Sequence, residues 1–235
     1  MAKRDSPSTI LFLVSFHVPK EIHVCYNPPI KGGDFRGIFP TISGEAMNRK
    51  GKNIKVVAII GSIRPDNMTS KVMALVLDEM KSFKDVELEV IDPAEIHLNG
   101  SGKEIEKSAA LIQKKVSQAT GVILATPEYH GSYSSTIKLV IDNLGFPSVL
   151  AGKPVALLGV ASGRIGAIKA LEHLRGVCSH VGSIVLPKVV SIAGVDKLFD
   201  DQGRCKDAKI EERIRSLPKS LMEYIRKHGL PAGGF

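Results

Sequence analysis

The sequence predicts the α/β class: a doubly wound, five-stranded parallel sheet in the order 2-1-3-4-5 with helices on both faces. Three observations carry this expectation. Short unbroken apolar runs recur, of the kind found where a strand is buried on both sides. Between them lie longer segments whose apolar residues step by three and four, the helical period. The links are short, and strand and helix alternate five times with no internal repeat.

Ile54 to Ile60 is the first buried strand. A polar turn leads to a helix from about Ser70, with Val72, Leu75, Val76, Met80 and Phe83 on one side. Val86 to Ile91 (VELEVI) alternates apolar and charged residues, which suits an edge strand. Ile105, Ala109, Ile112, Val116 and Ala119 mark the second helix, and Val122 to Ala125 the third strand. Ser135 to Leu144 is the third helix, Pro154 to Val160 the fourth strand and Gly166 to Val177 the fourth helix. Ile184 to Ile192 holds a fifth strand interrupted at Pro187. The last helix runs on Ile210, Ile214, Leu217, Leu221 and Ile225, with a kink expected at Pro218.

At 235 residues, with 43% hydrophobic and 24% charged side chains, the composition excludes a disordered chain or a disulfide-stapled mini-protein. Aromatic residues make up 5% with no Trp, too few for a platform that stacks nucleic-acid bases. The net charge is +8, yet residues 1–52 alone hold eight basic and four acidic residues, half of that excess. No run of Lys and Arg reaches the length of a nucleic-acid-binding tail, so no nucleic-acid partner is expected. A mild positive excess suits phosphorylated small molecules. The three cysteines, Cys25, Cys178 and Cys205, are odd in number and show no CxxC spacing, which fits a reducing, cytoplasmic setting.

No stretch approaches the roughly 18 consecutive apolar residues of a membrane span, so no membrane partner is expected. The apolar run Thr9 to Phe16 follows Lys3 and Arg4 in the manner of a signal peptide, but no small-x-small cleavage site follows it. Pro28 to Lys52 is rich in Gly and Pro and lacks periodicity. Residues 1–52 are therefore expected to be a loosely structured extension, and 53–235 the working domain, with a natural start near Met47.

In a sheet of this kind ligands bind at the carboxyl ends of the strands, so the loops after strands one, three and four matter most. The first, Gly61 to Ser70, is neither a GxGxxG fingerprint nor a Walker A loop. It does carry hydroxyls at Ser62, Thr69 and Ser70, the Arg64 guanidinium and a helix N-terminus, a donor set suited to a phosphate dianion. The blander alternative is an ordinary turn with Ser70 as helix cap. The second loop, Thr126 to Tyr133, sets Tyr129 and Tyr133 beside Gly131, where the backbone can approach a flat ring. Here Glu128 is open to a lesser role as cap of a backbone turn, and His130 to one as a surface residue. The third, Ala161 to Gly166, adds backbone N–H groups and one cation.

GSIRP after the first strand, TPEYHGS with the following IKLVIDNL, and ASGRIGAIKALEHL together resemble the NADPH-dependent FMN reductase family. The resemblance covers residues 54 to 228. It implies a flavodoxin-like fold, non-covalently held FMN, NADPH (with NADH as an alternative donor) and a homodimer or homotetramer. It places the phosphate loop on Ser62, Arg64 and Ser70, with Asn67 and Thr69 as helpers. The ring loop falls on Pro127, Glu128, Tyr129, His130, Gly131 and Ser132, and the third flavin loop on Ser162, Gly163 and Arg164. The sequence departs from the family pattern at His130, where Asn is frequent, at Ser134, where Pro is frequent, and at Asn143, where an aromatic residue is usual.

The implied activity is hydride transfer from the nicotinamide to FMN and on to a flavin, quinone or similar small acceptor. The flavin carries that chemistry, so no catalytic acid or base is assigned. Two rival readings are a flavodoxin-type electron carrier and a non-catalytic redox sensor. Carriers of that type tend to be acidic, whereas residues 53–235 carry 24 basic and 20 acidic side chains. His173, Cys178 and His180 (H-x4-C-x-H) match no common zinc spacing, and no metal is assigned.

Overall fold

In a computed structural model that describes residues 54–98, 100 and 102–228, the strands in chain order are β1 (Ile54–Ile60), β2 (Val86–Ile91), β3 (Gly121–Tyr129), β4 (Ser132–Tyr133), β5 (Pro154–Val160), β6 (Ile184–Val185) and β7 (Val190–Ile192). The helices are α1 (Met68–Met80), α2 (Lys103–Gln118), α3 (Ser135–Asp142), α4 (Ile168–His180) and α5 (Ala208–His228). The predicted extension, residues 1–52, lies outside the described residues.

The main sheet runs β2-β1-β3-β5, and beyond β5 stand β6 and β7, the two halves of the expected fifth strand. All these neighbours are parallel. The gap between β6 and β7 contains Pro187, which has no N–H to give to a ladder. β2 has one neighbour and an exposed outer row, as its alternating charges predict. One pairing was not foreseen. β3 runs on to Tyr129 and folds back antiparallel as β4, with Tyr129 opposite Ser132.

The period of two divides the central strands between two cores. Val56, Ala58, Ile123, Ala125, Ala156 and Leu158 face α1 and α5. Val57, Ile59, Val122, Leu124, Val155 and Leu157 face α2, α3 and α4. Each such side chain, fully withdrawn from water, contributes about 1.5–3 kcal/mol. The β1, β3 and β5 runs are unbroken because both of their faces are core.

Pro218 lies inside α5, which continues through it as one helix to His228. α4 begins at Ile168, two residues later than expected, because Gly166 holds a φ of +79° that no helix accepts.

Candidate active site

The carboxyl edge of the sheet is pinned from within. Gly61 N donates to Ala125 O at 2.7 Å, so the ends of β1 and β3 touch. A Cβ on Gly61 would stand 2.3 Å from that same oxygen, and only glycine fits there. Ser134 Oγ donates to Gly61 O at 2.5 Å and accepts from Ile137 N at 3.2 Å, capping α3 while anchoring it to β1. Its own N–H donates to Thr126 Oγ1 at 3.0 Å.

The loop after β1 is shaped by Asn67, which is the N-cap of α1 in place of the expected Ser70. Asn67 Oδ1 accepts from Ser70 N at 2.8 Å, while its Nδ2 donates to Arg64 O at 2.7 Å. Ser62 and Thr69 are largely withdrawn from water, 4% and 1% exposed. Arg64 reaches across to the next loop, its guanidinium carbon 4.6 Å from the centre of the Tyr129 ring.

Two adjoining clefts follow. One, of about 520 Å³, lies against Ser62, Arg64, Asn67, Ser70 and Lys71. The other, of about 210 Å³, lies between Arg64, Asn67 and Thr69 on one side and Pro127, Glu128, Tyr129 and Ser162 on the other. Arg64, Pro65, Asp66 and Asn67 form the wall common to both. The structure thus brings together nine of the predicted residues: Ser62, Arg64, Asn67, Thr69, Ser70, Pro127, Glu128, Tyr129 and Ser162.

The remaining five stand outside both clefts. His130 and Gly131 form the tip of the β3–β4 hairpin with φ of +49° and +75°. Ser132 turns to α4, its Oγ 3.2 Å from His173 Nδ1. Gly163 and Arg164 are exposed in the loop after β5. Glu128 performs the lesser role in part: its Oε2 accepts from Ala170 N at 3.0 Å, in the first turn of α4.

A fourth loop, not foreseen, closes the second cleft with Val195 and Asp196 from a short 3-10 helix after β7. It is stitched to the loop after β5 by Val195 N to Ala161 O at 3.1 Å and Gly194 N to Gly163 O at 3.2 Å. The signal was available in the sequence, since this loop also leaves the carboxyl end of a parallel strand. His173, Cys178 and His180 do not converge as ligands. Cys178 is buried in the core, and burial pushes its thiol up to about 12, far from a metal-binding thiolate.

Fold and site together define a flavodoxin-like, mononucleotide-binding α/β protein. Residues 54–197 match the NADPH-dependent FMN reductase family, and the chain belongs to it. Similar proteins include an NAD(P)H-dependent FMN reductase of Pseudomonas aeruginosa, 29% identical over 184 residues that span 74% of this chain and 97% of that protein. An FMN-dependent NADPH-azoreductase of Staphylococcus aureus is 29% identical over 182 residues, 73% of this chain and 95% of its own. Among solved structures, a flavoenzyme NAD(P)H:(acceptor) oxidoreductase of Paracoccus denitrificans has the same fold, with a TM-score of 0.60 at 22% identity, over 74% of this chain and 98% of that one.

The chain is accordingly an FMN-dependent NAD(P)H oxidoreductase. Its residues fit the cofactor. The cleft-lining hydroxyls of Ser62 and Thr69, the start of α1 and a guanidinium are a donor set for a phosphate dianion.

Proposed function

We propose that this chain holds FMN across the two adjoining clefts and reduces a small-molecule acceptor at the expense of NADPH, with NADH as an alternative donor. Ser62, Thr69 and Ser70 hydroxyls and Arg64 take the phosphate, and Asn67 keeps their loop in shape. Pro127, Glu128 and Tyr129 border the ring, with Ser162 opposite them. The hairpin tip at His130 and Gly131, with Ser132, supports that border, and Gly163 and Arg164 frame the donor's entrance. FMN supplies the redox chemistry by accepting and passing on a hydride. The protein's part is to hold the ring flat, keep water from one side and aim backbone donors at its polar edge.

The observation that carries this reading is the convergence of nine predicted residues from three separate loops on two adjoining clefts that share the wall Arg64 to Asn67. Residues 53–235 are the reductase domain and 1–52 an extension to it, with a cytoplasmic site of action. No helix among the described residues is long and apolar enough to cross a membrane. The acceptor is a flavin, quinone or similar small molecule.

The working form is a homo-oligomer built on α3 and its neighbour α4. Between their carboxyl ends lies a groove of about 890 Å³ lined by Ile141, Val177 and Val181, beside a Phe146 that is 89% exposed. A knob next to a matching apolar groove is the arrangement a two-fold interface uses.

The deciding experiment is anaerobic spectroscopy of the full chain reconstituted with FMN. Bleaching of the flavin band on adding NADPH supports the reductase. Bound flavin that stays oxidised with both NADPH and NADH turns the reading to an electron carrier or sensor.

A further inference from the structure

The hairpin that borders the ring cleft is docked on α4 by two polar contacts. Glu128 Oε2 accepts from Ala170 N, and Ser132 Oγ meets His173 Nδ1 at 3.2 Å. A Cβ placed on Gly131 would lie 3.5 Å from Lys169 Cδ, so the aliphatic stem of Lys169 runs beside the hairpin tip. Lys169 and His173 are four residues apart on one helix and share a face. Both are exposed, and neither lines the two clefts assigned to FMN.

The Lys169 ammonium has no carboxylate within salt-bridge distance among the described residues. Lys55, Lys138, Arg204, Arg215 and Arg226 all pair with carboxylates, whereas Lys169 makes no such pair although Glu172 stands three residues further along α4. The N-terminal turn of α4 is not what attracts an anion here, since Glu128 already takes one of its amides. The phosphate of FMN belongs to the loop after β1, so positive charge on the other side of the hairpin is surplus to the flavin.

We infer that Lys169 and His173 form the seat for the 2′-phosphate of NADPH. The inference rests on the reductase reading of the cleft. A nicotinamide stacked on a ring bordered by Pro127 to Tyr129 leaves the rest of the dinucleotide to exit past the hairpin. NADPH differs from NADH only by a dianionic phosphate, and an ammonium with an imidazole N–H beside it is a matching pair of donors. Lys169 supplies a movable point charge. His173, held through Nδ1 by Ser132, keeps Nε2 for the ligand.

The test compares Lys169→Gln, Lys169→Arg and His173→Gln with the parent FMN-loaded chain, reading NADP⁺ and NAD⁺ binding by calorimetry. Lys169→Gln is expected to weaken NADP⁺ about tenfold, the scale of one charge-assisted contact, with NAD⁺ and FMN affinity within about twofold. His173→Gln gives a smaller loss of the same kind, and Lys169→Arg restores most of the affinity. NADP⁺ and NAD⁺ weakened alike, or neither changed, overturns the assignment. Titration of 2′,5′-ADP against 5′-AMP needs no flavin. A preference for 2′,5′-ADP that Lys169→Gln abolishes upholds the phosphate seat even if FMN fails to bind, which would instead sink the reading of the clefts. The absence of any such preference in the parent chain overturns the seat whatever FMN does.

Discussion

The guanidinium of Arg64 lies over the face of the Tyr129 ring, 4.6 Å from its centre, and so joins the loop after β1 to the end of β3. Stacking uses the flat face of the guanidinium and leaves its in-plane N–H donors for a phosphate. In the proposed reading one side chain thereby ties the ring cleft to the phosphate cleft. Arg64→Ala is expected to weaken FMN about tenfold, read by quenching of flavin fluorescence. Arg64→Lys keeps the charge without the planar fork and falls between the two. An equal affinity in all three proteins would remove Arg64 from the site.

All of the polar groups of Ser134 are engaged. Its Oγ serves Gly61 O and Ile137 N, and its N–H serves Thr126 Oγ1. Ser134→Ala strips the cap from α3 and leaves a buried carbonyl unpaired, a loss of about 1–3 kcal/mol in urea unfolding. Ser134→Pro also removes the N–H to Thr126 and is expected to cost more than Ser134→Ala. A Pro variant as stable as the parent would refute the argument.

The hairpin tip makes a sharper prediction. His130 and Gly131 both hold positive φ, as a two-residue type I′ turn requires, and Asn is the best side chain at the first position. His130→Asn should leave stability unchanged or raise it by a few tenths of a kcal/mol, about the scale of a turn preference. His130→Val, β-branched at φ of +49°, should cost about 1–3 kcal/mol. Thermal melts of the two variants report the difference. Equal melting temperatures would mean that the turn relaxes away from this geometry.

These cases show what was legible in the chain and what was not. β1, β3 and β5 announce themselves because a strand with core on both faces has no reason to interrupt its apolar run. The break at Pro187 was equally plain. The β3–β4 hairpin was hidden because β4 is two residues long, too short for any periodicity. Only the His-Gly pair hinted at the turn. Asn67 was overlooked as cap because Ser70, three residues on, is also a good capping residue, and the decision rests on where the loop ends. Asp196 gave little signal because the strand that leads to its loop, β7, is only three residues long. Most of the walls of the two clefts were readable, whereas partners that hold them in place, such as Ser134 on Gly61, came from residues distant in sequence.

Glu89 predicts an acid-dependent component of stability at the opposite edge of the molecule. Lys55 contacts it across the β1–β2 pair, Lys115 adds a second cation at 3.5 Å, and its carboxyl is held below the usual range. The folded state therefore binds the proton less readily than the unfolded chain. The stabilisation is present above the ordinary carboxylate range and is lost as pH falls through the lowered value. Glu89→Gln should be less stable than the parent near neutral pH, with the gap closing on acidification. A gap of constant size from neutral to strongly acid pH would show that charge is not its cause.

Lys153 predicts a trend in the reverse direction. It is 2% exposed at the start of β5, and its Nζ donates to Ser117 O at 3.0 Å and Ala119 O at 2.7 Å. These carbonyls sit at and just past the end of α2, whose dipole favours a cation, but no carboxylate is paired with it among the described residues. Burial lowers its pKa, so the unfolded chain holds this proton more tightly than the folded one. Stability relative to Lys153→Met should therefore rise with pH from the lowered value up to the ordinary lysine range. Lys153→Met also leaves two carbonyls unpaired and is expected to lose about 1–3 kcal/mol at neutral pH. Urea unfolding of both proteins across the alkaline range measures the trend. If the difference between them stays flat, the attraction of the helix end offsets the desolvation of Lys153, and if it falls with pH that attraction outweighs it.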